Sequence, residues 1–165
     1  MIKHLELLIQ ALREEMQQYG EMLALLDNQQ ELVVTRAADE VLQTVSAIQA
    51  QNLVIQDART KRDECRERLA NSLRQPADAP FEKLIPLVPD EYRPLLSALV
   101  DENNELIRRI QQRARQNHLL LSRTIELMQK FLSTLTPAFN PRLYNGTGST
   151  ILAGTPRHTL FEAVG

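Results

Sequence analysis

The apolar positions of this chain recur at alternating spacings of four and three, and the longest such stretch runs from Pro89 to Thr136. Tyr92, Leu96, Leu99, Asn103, Leu106, Ile110, Arg113, Asn117, Leu120, Thr124, Leu127 and Phe131 follow the alternation without a slip. That is the seam of a heptad helix, and eight of these twelve positions are apolar. A second row, Val100, Ile107, Ala114, Leu121, Met128 and Leu135, repeats every seven residues beside it. Two rows serve one narrow seam, whereas a third makes a face broad enough for two partners. The pattern predicts that this helix is the central strut of a bundle.

The same alternation starts at Leu5 and passes through Ile9, Leu12, Met16, Tyr19, Leu23, Leu26, Gln30 and Val33. It predicts a helix over about residues 3–36, roughly 50 Å long. Thr35 to Asp39 reads as a turn, with Asp39 a candidate N-cap for the next helix. That helix, about 39–74, has Val41, Val45, Ile48, Asn52, Ile55, Arg59, Arg62, Arg66, Leu69 and Leu73 at its seam. Its second half mixes five basic with three acidic residues between Arg59 and Arg68, the composition of a solvated, ion-paired face whose arginine stems lie over the seam. The first forty residues hold eight acids against three bases, so the first helix is its electrostatic neighbour.

Five of the eight prolines fall between Pro76 and Pro94 and mark a connector at 75–89. Phe81, Leu84, Ile85, Leu87 and Val88 make it a short helical turn packed on the bundle. Asp90 is the expected cap of the third long helix, about 90–136, with Pro94 tolerated in its first turn. Beyond Thr136 the pattern stops, and residues 137–165 carry four of the five glycines, as a mobile tail does. The prediction is an all-α chain: an elongated antiparallel bundle of three long helices over 1–136, with the connector, and a flexible C-terminal tail over 137–165.

Composition narrows the function classes. A net charge of −2 and a pI near 5.9 give no bulk electrostatic attraction to nucleic acid. Cys65 stands alone, so neither a disulfide framework nor a cysteine-built zinc site is expected. His4, His118 and His158 are far apart in sequence, and no catalytic, P-loop or dinucleotide-binding motif occurs. No cofactor, metal or catalytic residue is expected. No signal peptide or transmembrane run is apparent, because Glu6 interrupts the apolar N-terminus and the uncharged run from Val41 to Gln56 is too short to span a bilayer. The expectation is a non-enzymatic protein of the cytoplasm.

The informative feature is a mismatch of length. The third long helix exceeds the second, so its end must overhang the turn between the first two. That end carries Leu127, Met128, Phe131, Leu132 and Leu135, an apolar cluster of the kind that marks an interaction site. Two other occupants compete for it: the tail folding back, or a second copy pairing as a weak homodimer. Asn103 and Asn117 at the seam read as register-setting amides.

Asn117-His118-Leu119-Leu120-Leu121 also resembles the N-x-x-L-L segment in the last helix of FlgN-type flagellar export chaperones. There, as here with Pro137, an amphipathic turn-and-a-half and a helix-ending proline follow. Leu143-Tyr144-Asn145-Gly146-Thr147-Gly148 is similar to that family's tail motif, L-Y-x-x-x-G, and Tyr19 to Leu32 resembles its first helix. Residues 149–165 and the connector match no family pattern. The resemblance implies a cytoplasmic chaperone of the flagellar type III export system, which holds the C-terminal helical segments of hook–filament junction proteins (FlgK- and FlgL-like). It implies a client-binding face on the last helix, here Asn117, Leu120, Leu121, Thr124, Leu127, Met128, Phe131, Leu132 and Leu135. It further implies that Tyr144 docks to the export gate. A structural coiled-coil subunit and a sequestering regulator without an export role are the alternatives.

Overall fold

The computed structural model describes residues 1–135. The expected tail, its Leu143–Gly148 motif and Tyr144 lie outside the described residues. Four α-helices account for the fold: α1 (Ile2–Val34), α2 (Ala38–Ser72), the single turn α3 (Phe81–Leu84) and α4 (Arg93–Leu135), with a 3₁₀ turn at Ile85–Leu87 after α3. No strand occurs among the described residues.

The helix boundaries have local causes. Both α1 and α2 end in the same closing motif. The N–H of Ala37 reaches back to Leu32 O and that of Arg36 to Val33 O; Gln75 and Arg74 do the same to Ala70 and Asn71. Each motif needs one left-handed residue, and arginine fills both positions, Arg36 at φ 60° and Arg74 at φ 59°. With the turn made this way, α2 starts one residue before the expected cap. Asp39 then falls in the first turn with Glu40, where carboxylates sit favourably against the helix dipole. Asp90 does not cap α4 either. Its carboxylate pairs with Arg93 Nη1 at 2.7 Å, and the helix opens with the Leu96 N–H bonded to Tyr92 O at 2.9 Å.

Hydrogen bonds between helices define their directions. Gln51 Nε2 donates to Gln18 O at 3.0 Å, Gln29 to Thr44 Oγ1 at 3.1 Å, and Lys61 to Glu14 at 2.6 Å. Rising positions in α2 meet falling ones in α1, so the pair is antiparallel. Asn103 Nδ2 donates to Leu12 O at 3.1 Å and Asn117 Nδ2 to Leu26 O at 2.7 Å, and both pairs are separated by 91 residues. A constant separation means that α4 runs parallel to α1. Because 91 is a whole number of heptads, like positions face each other: Leu96 and Leu99 fall level with Leu5 and Leu8, and Ile110 with Tyr19.

The central helix is α1, not α4. It packs along both α2 and α4, while these two hardly approach each other. One side of α1 meets α2 through Glu14, Glu15 and Gln18; the other meets α4 through Leu12, Leu26 and Asp27. The second apolar row of α4 lies over the edge of this contact, with Ile107 buried and Val100, Ala114 and Leu121 half-buried.

Burial divides into two apolar clusters. One gathers Leu5, Leu8 and Leu12 with Cys65, Leu69, Phe81, Val88, Leu96 and Leu99, so the connector plugs the end at which α1 starts. The other gathers Tyr19, Met22, Leu26, Ile55, Leu106, Ile107 and Ile110. Each fully buried leucine contributes roughly 2 kcal/mol. The connector is also tied by Arg66 Nη1 to Ala79 O at 2.9 Å and by Arg93 Nε to Val88 O at 3.0 Å.

A buried polar group lies between the clusters. Tyr19 donates its hydroxyl to Glu15 Oε1 at 2.7 Å, and Arg62 Nε lies 3.7 Å from the other carboxylate oxygen and 3.2 Å from Asp63. Arg62, a seam position expected to lay its stem over the seam of a solvated, ion-paired face, is buried to its guanidinium beside Glu15. The stretch from Arg59 to Arg68 is otherwise largely at the surface.

Candidate functional site

The register of α4 against α1 determines what α4 leaves uncovered. With Asn117 at the level of Leu26, the same offset brings Ile125 level with Val34, the last residue of α1. Glu126 to Leu135 therefore extend beyond α1, about 15 Å of helix at 1.5 Å per residue. Beneath this projection all three long helices meet in a polar layer. Asn117 Nδ2 donates to Gln29 Oε1 at 3.1 Å as well as to Leu26 O, and Gln29 Nε2 donates to Thr44 Oγ1. All three side chains are buried. The layer lies between the second apolar cluster and the helix end above, with Val33 of α1 buried beyond it.

Above the layer the burial of α4 fades residue by residue. Leu120, Leu121 and Thr124 are half-buried. Ile125, Leu127, Met128, Phe131 and Leu132 are exposed, Phe131 to 63%. On an α-helix these positions share one arc nearly half the circumference wide, and the Leu135 side chain, also expected there, lies outside what the structure describes. Apolar side chains of this size, contiguous and exposed, make this arc the candidate binding surface of the described residues.

Of the sequence-expected client residues, the structure brings Leu120, Leu121, Thr124, Leu127, Met128, Phe131 and Leu132 onto this arc. Asn117 it does not. Its amide is committed to Leu26 and Gln29 inside the bundle, and its part is to hold α4 in register. Tyr144 lies outside the described residues.

Sequence reasoning missed a second set of exposed apolar residues, which runs from the end of α1 along the first half of α2. Val34 closes α1 uncovered, and Leu42, Val45, Leu53 and Val54 are exposed on the first half of α2. The available signal was the absence of charge from Val41 to Gln56, since a solvated helix face normally carries ionised side chains. Val45, expected at the seam, faces solvent because α2 leans on α1 and not on α4.

Charge is distributed unevenly along α4. Arg93 pairs with Asp90, Arg108 with Glu105, and Arg113 Nε with Asp27 of α1 at 2.6 Å, whereas Arg109 and Arg115 form no ion pair among the described residues. Arg113 also bonds Gln30. Among the described residues Arg123 and Lys130 form no ion pair, and Glu126 is the sole acid from Arg115 to Leu135.

Groups with reactive potential lie elsewhere and are enclosed. Burial raises the Glu15 carboxyl above the ordinary carboxylate range, with the nearby Arg62 guanidinium and the Tyr19 hydroxyl opposing that shift. Burial and the neighbouring Glu15 push the Tyr19 phenol up, and burial also raises the Cys65 thiol. A thiol held protonated is a poor nucleophile. Among the described residues no group of three His, Cys, Asp or Glu side chains is placed to hold a metal ion. No described helix is long and apolar enough to cross a membrane.

The family model of the FlgN protein matches residues 1–150, nearly the whole chain. The chain belongs to the FlgN family. Membership places it among flagellar export chaperones, and the matched span includes α1, α2, the connector and all of α4. No curated protein and no solved structure matches the chain.

Proposed function

We propose that this chain is a cytoplasmic, non-enzymatic chaperone that holds the C-terminal helical segments of FlgK- and FlgL-like hook–filament junction proteins and delivers them to the export gate of the flagellar type III system. The observation that carries this reading is the exposed apolar end of α4, which continues past α1 with Leu127, Met128, Phe131 and Leu132 in solvent. Family membership supports it. The client lies as a helix along the α4 arc, with Leu120, Leu121, Thr124 and Leu135 extending the contact. Apolar contacts suit this task, because a client segment that is later buried in an assembled filament presents an apolar stripe before assembly.

The test is binding of purified C-terminal segments of the two junction proteins. Phe131→Ala weakens the complex by about 2 kcal/mol or more, roughly a 30-fold loss of affinity, as expected for a central anchor. Unchanged affinity removes α4 as the client site. Apolar residues exposed on both α2 and α4 also suit pairing of two copies, which would appear as a solution mass that doubles with protein concentration and stays doubled with client present.

Gate docking is assigned to Tyr144. A tyrosine supplies a large apolar body and a hydroxyl that a pocket can satisfy. Tyr144→Ala should lower binding to the export gate while melting temperature and client affinity stay near wild type. A mutant that melts several degrees lower with gate binding intact would make the tyrosine a structural residue.

A further inference from the structure

We infer that two copies of this chain pair antiparallel through the outer face of α2, about a two-fold axis between Ser46 and Gln49, and that this contact leaves α4 open. Thr44, Ile48, Gln51 and Ile55 form the seam that α2 turns to α1. Half a turn round the helix, Leu42, Ser46, Gln49 and Leu53 are exposed at spacings of four, three and four, Leu42 to 68% and Leu53 to 62%. The outer face of a bundle helix is ordinarily its most polar. Farther along α2 it is so, because Gln56, Thr60, Glu64 and Glu67 continue the same face in solvent. Over residues 41–56, by contrast, no side chain is ionised, so no charge opposes burial. The face is turned away from α1, and α4 hardly approaches α2, so a partner seated there does not cover the α4 arc.

The pattern itself selects a second copy. Leucine, two polar residues and leucine read alike from either end, and a two-fold interface requires a patch that is complementary to itself. Antiparallel pairing sets Leu42 against Leu53 of the second copy at both ends. In the middle Ser46 meets Gln49, and hydroxyl and amide can each donate and accept. No like charges are brought together. The segment after Leu135 fits the face less well. Its longest run without glycine or proline is 157–164, about 12 Å as a helix against about 16 Å from Leu42 to Leu53, and it would bring Arg157 and Glu162 to a face without ions. A contact of four seam residues a side belongs to the small class of interfaces, under about 1,200 Å² in total, so the pairing should be micromolar.

Sedimentation velocity of the full chain over a range of concentrations makes the test. Wild type should pass from monomer to dimer in the micromolar range. Leu42→Lys and Leu53→Glu should each stay monomeric and melt like wild type, since both side chains are exposed. Mixed in equal amounts at low salt, the two variants should dimerise again, because antiparallel pairing sets the introduced lysine against the introduced glutamate. Phe131→Ala should dimerise like wild type, and Leu53→Glu should bind the junction-protein segments like wild type, so this pairing and the client site on α4 can fail separately. A wild type that is monomeric at every concentration overturns the pairing, as does a dimer that survives both α2 variants. Loss of the dimer in Phe131→Ala moves the contact to α4 and also refutes it. Weaker binding of junction-protein segments by Leu53→Glu gives the α2 face to the client instead. Failure to recover the dimer on mixing overturns the antiparallel arrangement, and the proposal with it.

Discussion

Glu15 shows how one buried charge can order a helical interior and still weaken it. Its side chain is fully enclosed, it accepts one short hydrogen bond from Tyr19, and its cationic neighbour Arg62 stands at 3.7 Å, beyond hydrogen-bonding distance. Desolvation therefore dominates, and the native carboxyl holds its proton more tightly than the unfolded chain does. From the ordinary carboxylate pKa up to the raised native one, the native state binds more protons. Stability contributed by this group is thus greatest at low pH and falls as pH rises through that window. Glu15→Gln keeps an acceptor for Tyr19 and removes the titration, so its stability relative to wild type should improve as pH rises above the ordinary carboxylate range. Urea unfolding of both proteins across that rise checks the slope; a constant difference would mean that Arg62 offsets the burial in full. Arg62→Met, which leaves the carboxylate buried with its nearest cation removed, should cost about 3 kcal/mol at neutral pH.

Among the helices, α4 has two lives joined at Asn117. Below it the helix is a bundle element, and above it an apolar arc in water. Substitutions on the two sides of the joint should behave oppositely. Asn117→Ala strands Gln29 Oε1 in a buried layer and should destabilise the fold by about 2 kcal/mol in urea. Leu12→Ala, within the first apolar cluster, should cost about 3 kcal/mol. Phe131→Ala should leave the unfolding midpoint near wild type, because its side chain is largely in solvent. A loss for Phe131→Ala as large as that for Leu12→Ala would place the residue in a core. The long helices were legible in sequence, since Leu96, Leu99, Leu106 and Ile110 mark their seam by spacing alone. The place of Asn117 was only half legible. Its seam position spoke for register and its motif for a client, and the partner that decides between them, Gln29, is a polar residue that an apolar pattern counts as surface.

At the scale of the whole molecule, the arrangement is a gradient of burial that runs outward from α1. Sequence pattern put α4 at the centre because its apolar rows are easily counted. It hid the second side of α1, which meets α2 through Glu14, Glu15 and Gln18 and so reads as polar. With α1 in the middle, opening it requires both neighbours to separate, whereas the end of α4 can fray while every other contact stays in place. Local opening follows such differences in contact, and amide hydrogen exchange reports it. In the free protein, protection should be strongest in α1 from Leu8 to Leu26, weaker in the first half of α2, and weakest in α4 beyond Thr124. A bound client helix should then slow exchange from about Leu119 to Leu135 and leave the middle of α1 unchanged, because the polar layer of Asn117, Gln29 and Thr44 separates the two regions. Strong protection of residues 125–135 before client is added would show that this end is already covered in solution. Client-induced protection confined to Leu42–Val54 would move the binding surface to α2. Protection gained by α4 alone is the outcome that a projecting, partner-seeking helix requires.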